Sequence, residues 1–180
     1  MSNLPIVGTQ TKKGVGIVFL DIVGYSSMAA HFGDLHSATL VERFLGRAQR
    51  AVEAHEGSIK KVWGDGFLAI FDRTVDAVAF AIEFQKSLRD RPITVDSGDL
   101  QVRIAVHWGT VLIQKAEYGL EIVGMGVSFA ARLEAYCPPG NVILSQSAHL
   151  ALPGDWAARF IQSPPVEVKG AGRVPVWLLS

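Results

Sequence analysis

At 180 residues the chain is long enough for one domain with a sizeable buried core. Its 17 basic and 17 acidic residues cancel without any run of like charge, which argues against bulk electrostatic binding to nucleic acid or to an anionic membrane. The lone Cys137 rules out an internal disulfide, and with no signal-peptide core and no ~20-residue apolar span the expectation is a cytoplasmic protein without a membrane segment.

Residues 1–13 read as a polar lead-in and 14–180 as a single domain. Val15 to Ile22 is a short continuous apolar run, which predicts a strand buried on both faces. It ends in Asp21-Ile22-Val23-Gly24-Tyr25-Ser26, where Gly24 permits a tight loop and Ser26 or Ser27 can cap a following helix. Leu35 to His55 has helical spacing, with Leu40, Val41, Phe44, Leu45, Ala48 and Val52 on one stripe and Gly57 as its closing glycine. Ser58 to Phe71 reads as two short strands joined by Gly64-Asp65-Gly66. Thr74 is placed to cap a second helix, Val75 to about Arg91, and Pro92 to Asp99 forms a loop.

Leu100 to His107 alternates like a strand and runs through Trp108-Gly109 into another, Thr110 to Lys115. Gly126 to Tyr136 predicts a short helix, Val142 to Leu144 a strand, and Ser145 the start of a brief helix. Val166 to Lys169 and Val174 to Leu179 form a last pair around Gly170-Ala171-Gly172. This order predicts an α/β (α+β) sandwich of ferredoxin-like type, one mostly antiparallel sheet covered by helices.

The chemistry starts from two carboxylates. Asp65 sits at a hairpin tip between small residues, and Asp21 ends an apolar strand that would lie beside it. A bare hairpin with no site is the plain alternative. Carboxylates on adjacent strands can hold two Mg²⁺ or Mn²⁺ ions, and a metal pair about 3.5–4 Å apart clamps in-line phosphoryl chemistry. The backbone amides of Val23, Gly24, Tyr25 and Ser26 offer a nest for a triphosphate. The five histidines, His31, His36, His55, His107 and His149, are scattered and read as structural or surface residues.

Four segments together resemble the catalytic domain of class III nucleotidyl cyclases: FLDIVGYS, KVWGDGFLAIF, GLEIVGMGVSFAARLE and VEVKGAG, in the order found in that family. The resemblance implies that Asp21 and Asp65 hold the metals, with a backbone carbonyl from Ile22. It implies that Arg132 neutralises charge building on the α-phosphate, that Lys169 approaches the triphosphate, and that Lys61 and Glu121 read the base. It further implies a head-to-tail homodimer whose two active sites lie at the subunit interface, with metals from one copy and Arg132 and the base readers from the other. Three departures stand out. Ser128 replaces the usual asparagine; serine is a shorter donor, acting either directly or through a bridging water. Glu121 replaces the aspartate typical of adenylate cyclases, and the arm between Gly109 and Gly124 is short.

A lysine and a glutamate offer one donor head and one acceptor head, which all four bases can satisfy. The longer Glu121, with Trp63 near Lys61, points to a pocket for a smaller ring. Free-standing domains of this kind are similar to the pyrimidine cyclases of bacterial antiphage defence (the Pycsar type), whose cyclic UMP or cyclic CMP is sensed by a separate effector protein. The resemblance therefore implies a uridylate or cytidylate cyclase serving antiviral defence. Adenylate and then guanylate cyclase come next, and a nucleotide-binding homologue without turnover is the reading from another class.

Overall fold

The computed structural model describes residues 11–180 apart from 33, 96, 97, 117 and 118. The first ten residues of the expected lead-in and part of the arm before Gly124 lie outside the described residues, as does the His36 side chain. In chain order the elements are β1 (Thr11–Ile22), α1 (Tyr25–Phe32), α2 (Asp34–Ala54), β2 (Ser58–Trp63), β3 (Gly66–Phe71) and α3 (Thr74–Asp90). A two-stranded ribbon follows, β4 (Thr94–Val95) with β5 (Gly98–Asp99), and then β6 (Val102–Ala116), β7 (Gly119–Val123) and α4 (Met125–Glu134). The chain closes with β8 (Val142–Ser145), α5 (Gln146–Leu150), α6 (Gly154–Ala157), β9 (Phe160–Val168) and β10 (Gly172–Leu179).

The main sheet runs β2-β3-β1-β6-β8-β10-β9, with β7 added alongside β6. All of its pairings are antiparallel except β6 with β8, so the expected sheet is the one found. Strand alternation sorts the side chains to its two faces. Val18, Leu20 and Ile22 of β1, with Val102, Ile104 and Val106 of β6, turn toward α2 and α3 and pack on Phe44, Val52, Phe80 and Phe84. The alternate residues Val15 and Ile17 turn to the opposite face, where they meet Ala130 of α4. Farther along α4, Leu133 packs on Ala105 and Ile143.

Several local expectations change. Thr11 to Gly14 pair with Thr110 to Ile113 of β6, so β1 begins inside the stretch expected as lead-in. Trp108 and Gly109 do not divide β6, because Gly16 and Val15 of β1 hold them in register. Helix α1 already begins at Tyr25, ahead of the serines expected to cap it. Thr74 is the first residue of α3 rather than its cap; the cap position belongs to Arg73, which ion-pairs with Asp76 at 2.6 Å. Ser145 does cap α5, accepting the Ala148 N–H at 3.2 Å. The short α6 carried no periodic signal.

Helix α2 ends differently from expectation. Glu56 takes the left-handed conformation, φ 59°, while the Gly57 N–H returns to Val52 O at 2.9 Å and the Glu56 N–H to Glu53 O at 3.0 Å. Gly57 is needed for space: a Cβ there would lie 2.3 Å from the Phe71 ring. Gly57→Ala is therefore expected to destabilise the fold by roughly 1–3 kcal/mol, the usual cost of overpacking. Chemical denaturation checks this, and an unchanged midpoint would show that Phe71 yields freely.

Candidate active site

The acidic pair is assembled by strand register. Asp21 on β1 stands opposite Gly66 of β3 on one side and Arg103 of β6 on the other. Asp65 occupies the turn between β2 and β3, and its carbonyl accepts the Ile22 N–H at 3.2 Å, which ties the hairpin tip to the end of β1. The two glycines flanking Asp65 serve different ends. Gly64 takes φ 51°, as the tight reversal requires. Gly66 leaves room, since a Cβ there would lie 2.8 Å from Asp21 Oδ1 and 2.7 Å from Leu20 O. The Asp21 carboxylate thus occupies space that a side chain on β3 would otherwise fill.

Burial, and then the neighbouring Asp65 carboxylate, push Asp21 up to about 6, with Arg103 opposing the shift. Two carboxylates backed by one guanidinium make an electronegative end that suits a hard divalent cation. Among the described residues no cluster of three or more His, Cys, Asp and Glu side chains could hold a metal. Asp21, Asp65 and the Ile22 carbonyl, the donors expected from the sequence, number two carboxylates and one backbone oxygen. So sparse a set fits Mg²⁺ or Mn²⁺, which complete their shells with water and phosphate oxygens.

The amide nest needs one correction. The Val23 N–H donates to Gln101 O at 2.9 Å, so it is committed to the fold. Beyond it, the first bond of α1's own ladder is Met28 N–H to Gly24 O, 3.1 Å. The amides of Gly24, Tyr25 and Ser26 precede that bond and are the donors a helix start leaves over for an anion.

Arg132 and Ser128 lie elsewhere, on α4, where they line a cleft of about 800 Å³ with His107, Gly124, Met125 and Gly170. Arg132 Nη1 donates to the carbonyl of Lys169 at 2.6 Å, which brings the β9–β10 turn to the arginine. The Lys169 side chain is exposed beside it. His107 is a structural residue of the cleft wall: its Nδ1 lies 2.9 Å from Ser145 Oγ, and burial holds it down at about 4, hence neutral. Neither aspartate lines this cleft.

Lys61 and Glu121 are both exposed. They do not form an ion pair; Glu121 Oε2 instead accepts from Gln114 Nε2 at 3.3 Å across β6 and β7. Between them lies the apolar cluster of Val15, Ile17, Leu68 and Ile70, on which Trp63 and Ile122 both pack. Trp63 rests against Phe19, ring centroids 5.0 Å apart, so its indole is engaged with the sheet.

Residues 7–180 match the model of the adenylate and guanylate cyclase catalytic domain, nearly the whole chain. The chain belongs to this family. An adenylate cyclase from Glutamicibacter nicotianae is 27% identical over 175 residues, covering 96% of this chain and 41% of that protein. One from Anabaena cylindrica is 28% identical over 181 residues, covering 91% of this chain and 36% of the relative. The cyclase domain described here thus spans well under half the length of these curated relatives. Among solved structures, the guanylyl cyclase Cya2 superposes with a TM-score of 0.85 at 22% identity, covering 96% of this chain and 94% of that one. The adenylyl cyclase CyaB from P. aeruginosa gives 0.82 at 19%, with 96% of each chain covered. At such identities the structural likeness speaks for the fold. Among the described residues no helix is long and apolar enough to cross a membrane.

Two residues of this cyclase domain escaped the sequence reading. Arg103 faces Asp21 across β1 and β6. Glu134 ends α4 half-buried and is pushed up to about 7, first by burial and then by Asp21, with Arg103 opposing and Asp65 adding to the shift. The one mark of Arg103 in the sequence was its place on the polar side of the strand, alternating with Val102, Ile104 and Val106. Glu134 left no comparable mark, because its surroundings come from α4 crossing onto β6.

Proposed function

We propose that the chain converts a nucleoside triphosphate to its 3′,5′-cyclic monophosphate and pyrophosphate, in a homodimer whose sites combine residues of both copies. The observation that carries this is that strand register sets Asp21 opposite Gly66, next to Asp65 in the hairpin turn, at the end of β1 that leads into α1, within a chain that belongs to the cyclase family. The 3′-oxygen bonds to the α-phosphorus as the bond to pyrophosphate breaks, and the 3′-proton is released. Asp21, Asp65 and the Ile22 carbonyl would hold two Mg²⁺ or Mn²⁺ ions. When bound, these supply the charge that acidifies the 3′-hydroxyl and neutralises the phosphates. The amides of Gly24 to Ser26 receive the polyphosphate, and Arg103 supplies the cation behind Asp21. Arg132 stabilises the charge that grows on the α-phosphate, with Lys169 on the leaving group; such preset donors carry a large share of catalysis.

The separation of the two groups supports a composite site. Neither aspartate lines the Arg132 cleft, and its wall carries Met125, 89% exposed, with Val123, 38% exposed, two residues before it in the chain. Apolar side chains so exposed beside a cleft are suited to cover by a second copy.

For the base, ATP is the reading best supported: the lysine and the acid suit adenine as they suit the other bases, and the relatives above are named adenylate cyclases. Trp63, packed on Phe19, no longer argues for a narrowed pocket. UTP or CTP is the second reading, with an antiviral signal and a separate effector behind it, and it rests on the longer Glu121. The test is competition among the four triphosphates at equal concentration with Mn²⁺, the products separated by mass. Cyclic AMP should dominate, and Glu121→Ala should flatten the product ratio more than it slows the best substrate. Dominant cyclic UMP or cyclic CMP would overturn the adenine assignment, and absence of every cyclic product would overturn the activity.

A further inference from the structure

Outside its core stripe, helix α2 carries three arginines on one side. Arg43, Arg47 and Arg50 are spaced i, i+4 and i+7, which sets them in a row about 10 Å long. Arg91, at the C-cap of α3, comes up against that row. With Gly46 and Glu42 the four arginines line a cleft of about 640 Å³. Asp21, Asp65 and Arg132 do not line it. Helices α2 and α3 pack on one face of the sheet and α4 on the other, so this cleft and the Arg132 cleft lie on opposite faces.

Arg47 has a folding reason to be there. Its Nη1 donates to Arg91 O at 2.6 Å and its Nη2 to Ser87 O, which satisfies carbonyls at the end of α3 and holds the guanidinium plane in place. The other three arginines have no such reason. Among the described residues none of the four ion-pairs with a carboxylate. Glu53, three residues on from Arg50, is bonded instead by Gln49 Nε2 at 2.9 Å. Burial, and then Arg91 and Arg50, push Arg47 down from its usual range, so these like charges are close enough to oppose one another. A solvated helix face avoids such crowding by alternating its signs. Gly46 adds to the pattern. It sits in mid-helix, where alanine would hold the helix better, and it leaves the cleft floor bare, with Arg50 Nη1 3.6 Å from where its Cβ would lie.

We infer that this cleft binds a short chain of linked phosphates, at a site separate from the one that takes the substrate. Guanidinium forks match phosphate oxygens two at a time. Arg47 is fixed at the centre of the row, with Arg43 and Arg50 a turn away on either side and Arg91 across from them. A lone orthophosphate is too short to engage the whole row, whereas a phosphate chain lies along it. An extended acidic peptide matches less well, because it turns alternate side chains away. The end of α3 would by itself repel an anion, and Arg47 and Arg91 reverse that sign. The inference does not depend on the cyclisation reading.

Calorimetric titration of the full chain with inorganic tripolyphosphate tests it, without divalent metal and at about 0.15 M KCl. Wild type should bind with a Kd of about 0.1 mM or below. Replacing both exposed arginines, Arg43→Ala with Arg50→Ala, should weaken binding about tenfold or more, since two charge-assisted contacts are lost. The ligand-free Tm of that variant should stay equal or rise, because like charges have been removed. Lys169→Ala, across the sheet, should change the affinity less than about twofold. Orthophosphate should bind about tenfold more weakly than tripolyphosphate or worse. No measurable binding to wild type, equal binding by the double variant, or a loss that follows Lys169 alone would overturn the inference. So would orthophosphate binding as tightly as tripolyphosphate, or a fall in the double variant's ligand-free Tm that accounts for its weaker binding. Displacement of tripolyphosphate by a polyglutamate peptide at equal charge would also overturn it and give the cleft to an acidic protein segment.

Discussion

Asp21→Asn should abolish cyclase turnover, by about a thousandfold or more, while making the metal-free protein more resistant to heat. The first half follows from the loss of a charged ligand at a site whose metal charge supplies several kcal/mol to the transition state. The second half follows from the sign of the shift at Asp21. In the fold its carboxyl titrates near 6, against an ordinary value of 3.8. Between these values the folded state holds more protons than the unfolded one, so stability falls as pH rises through that window. At pH 7.5 the whole penalty is present, about 1–2 kcal/mol once the half-exposed position is discounted for solvent screening. Asparagine removes it. In metal-free buffer at pH 7.5 the variant should therefore melt a few degrees above wild type, and the gap should close as the pH is lowered to 4. A variant that melts below wild type, or that keeps near-normal activity, would show that Asp21 is placed for folding rather than for metal. Asp65→Asn should be equally inactive.

This coupling of lost function to gained stability explains which features the sequence made legible. Asp21 and Asp65 stood out because each follows or interrupts an apolar strand, where a carboxylate has no packing reason to be. The stripe of α2 stood out because Phe44, Ala48 and Val52 repeat at helical spacing, and all three fill the same core. What stayed hidden depends on contacts between residues distant in the chain. The Val23 amide looks free until Gln101 is brought beside it. Gly57 looks like a conformational residue until the Phe71 ring closes over it. Trp108-Gly109 looks like a break until β1 pairs across it. Glu134 looks like a solvated helix end until α4 lies down on β6 beside Arg103.

The central claim is that two copies of this chain complete one another's active sites, and complementation between inactive variants tests it most directly. Asp65→Asn removes the acidic end and leaves the Arg132 cleft intact; Arg132→Ala does the reverse. Each homodimer should be inactive, since every site in it lacks one half. When the two variants are mixed in equal amounts and allowed to exchange subunits, half the dimers should be mixed, each with one complete site of two. Cyclic nucleotide synthesis should then return to about a quarter of the wild-type rate. If mixed dimers form, as mass measurement of differently tagged chains would establish, and synthesis stays at the level of the separate variants, the shared site is contradicted and both halves must act within one subunit.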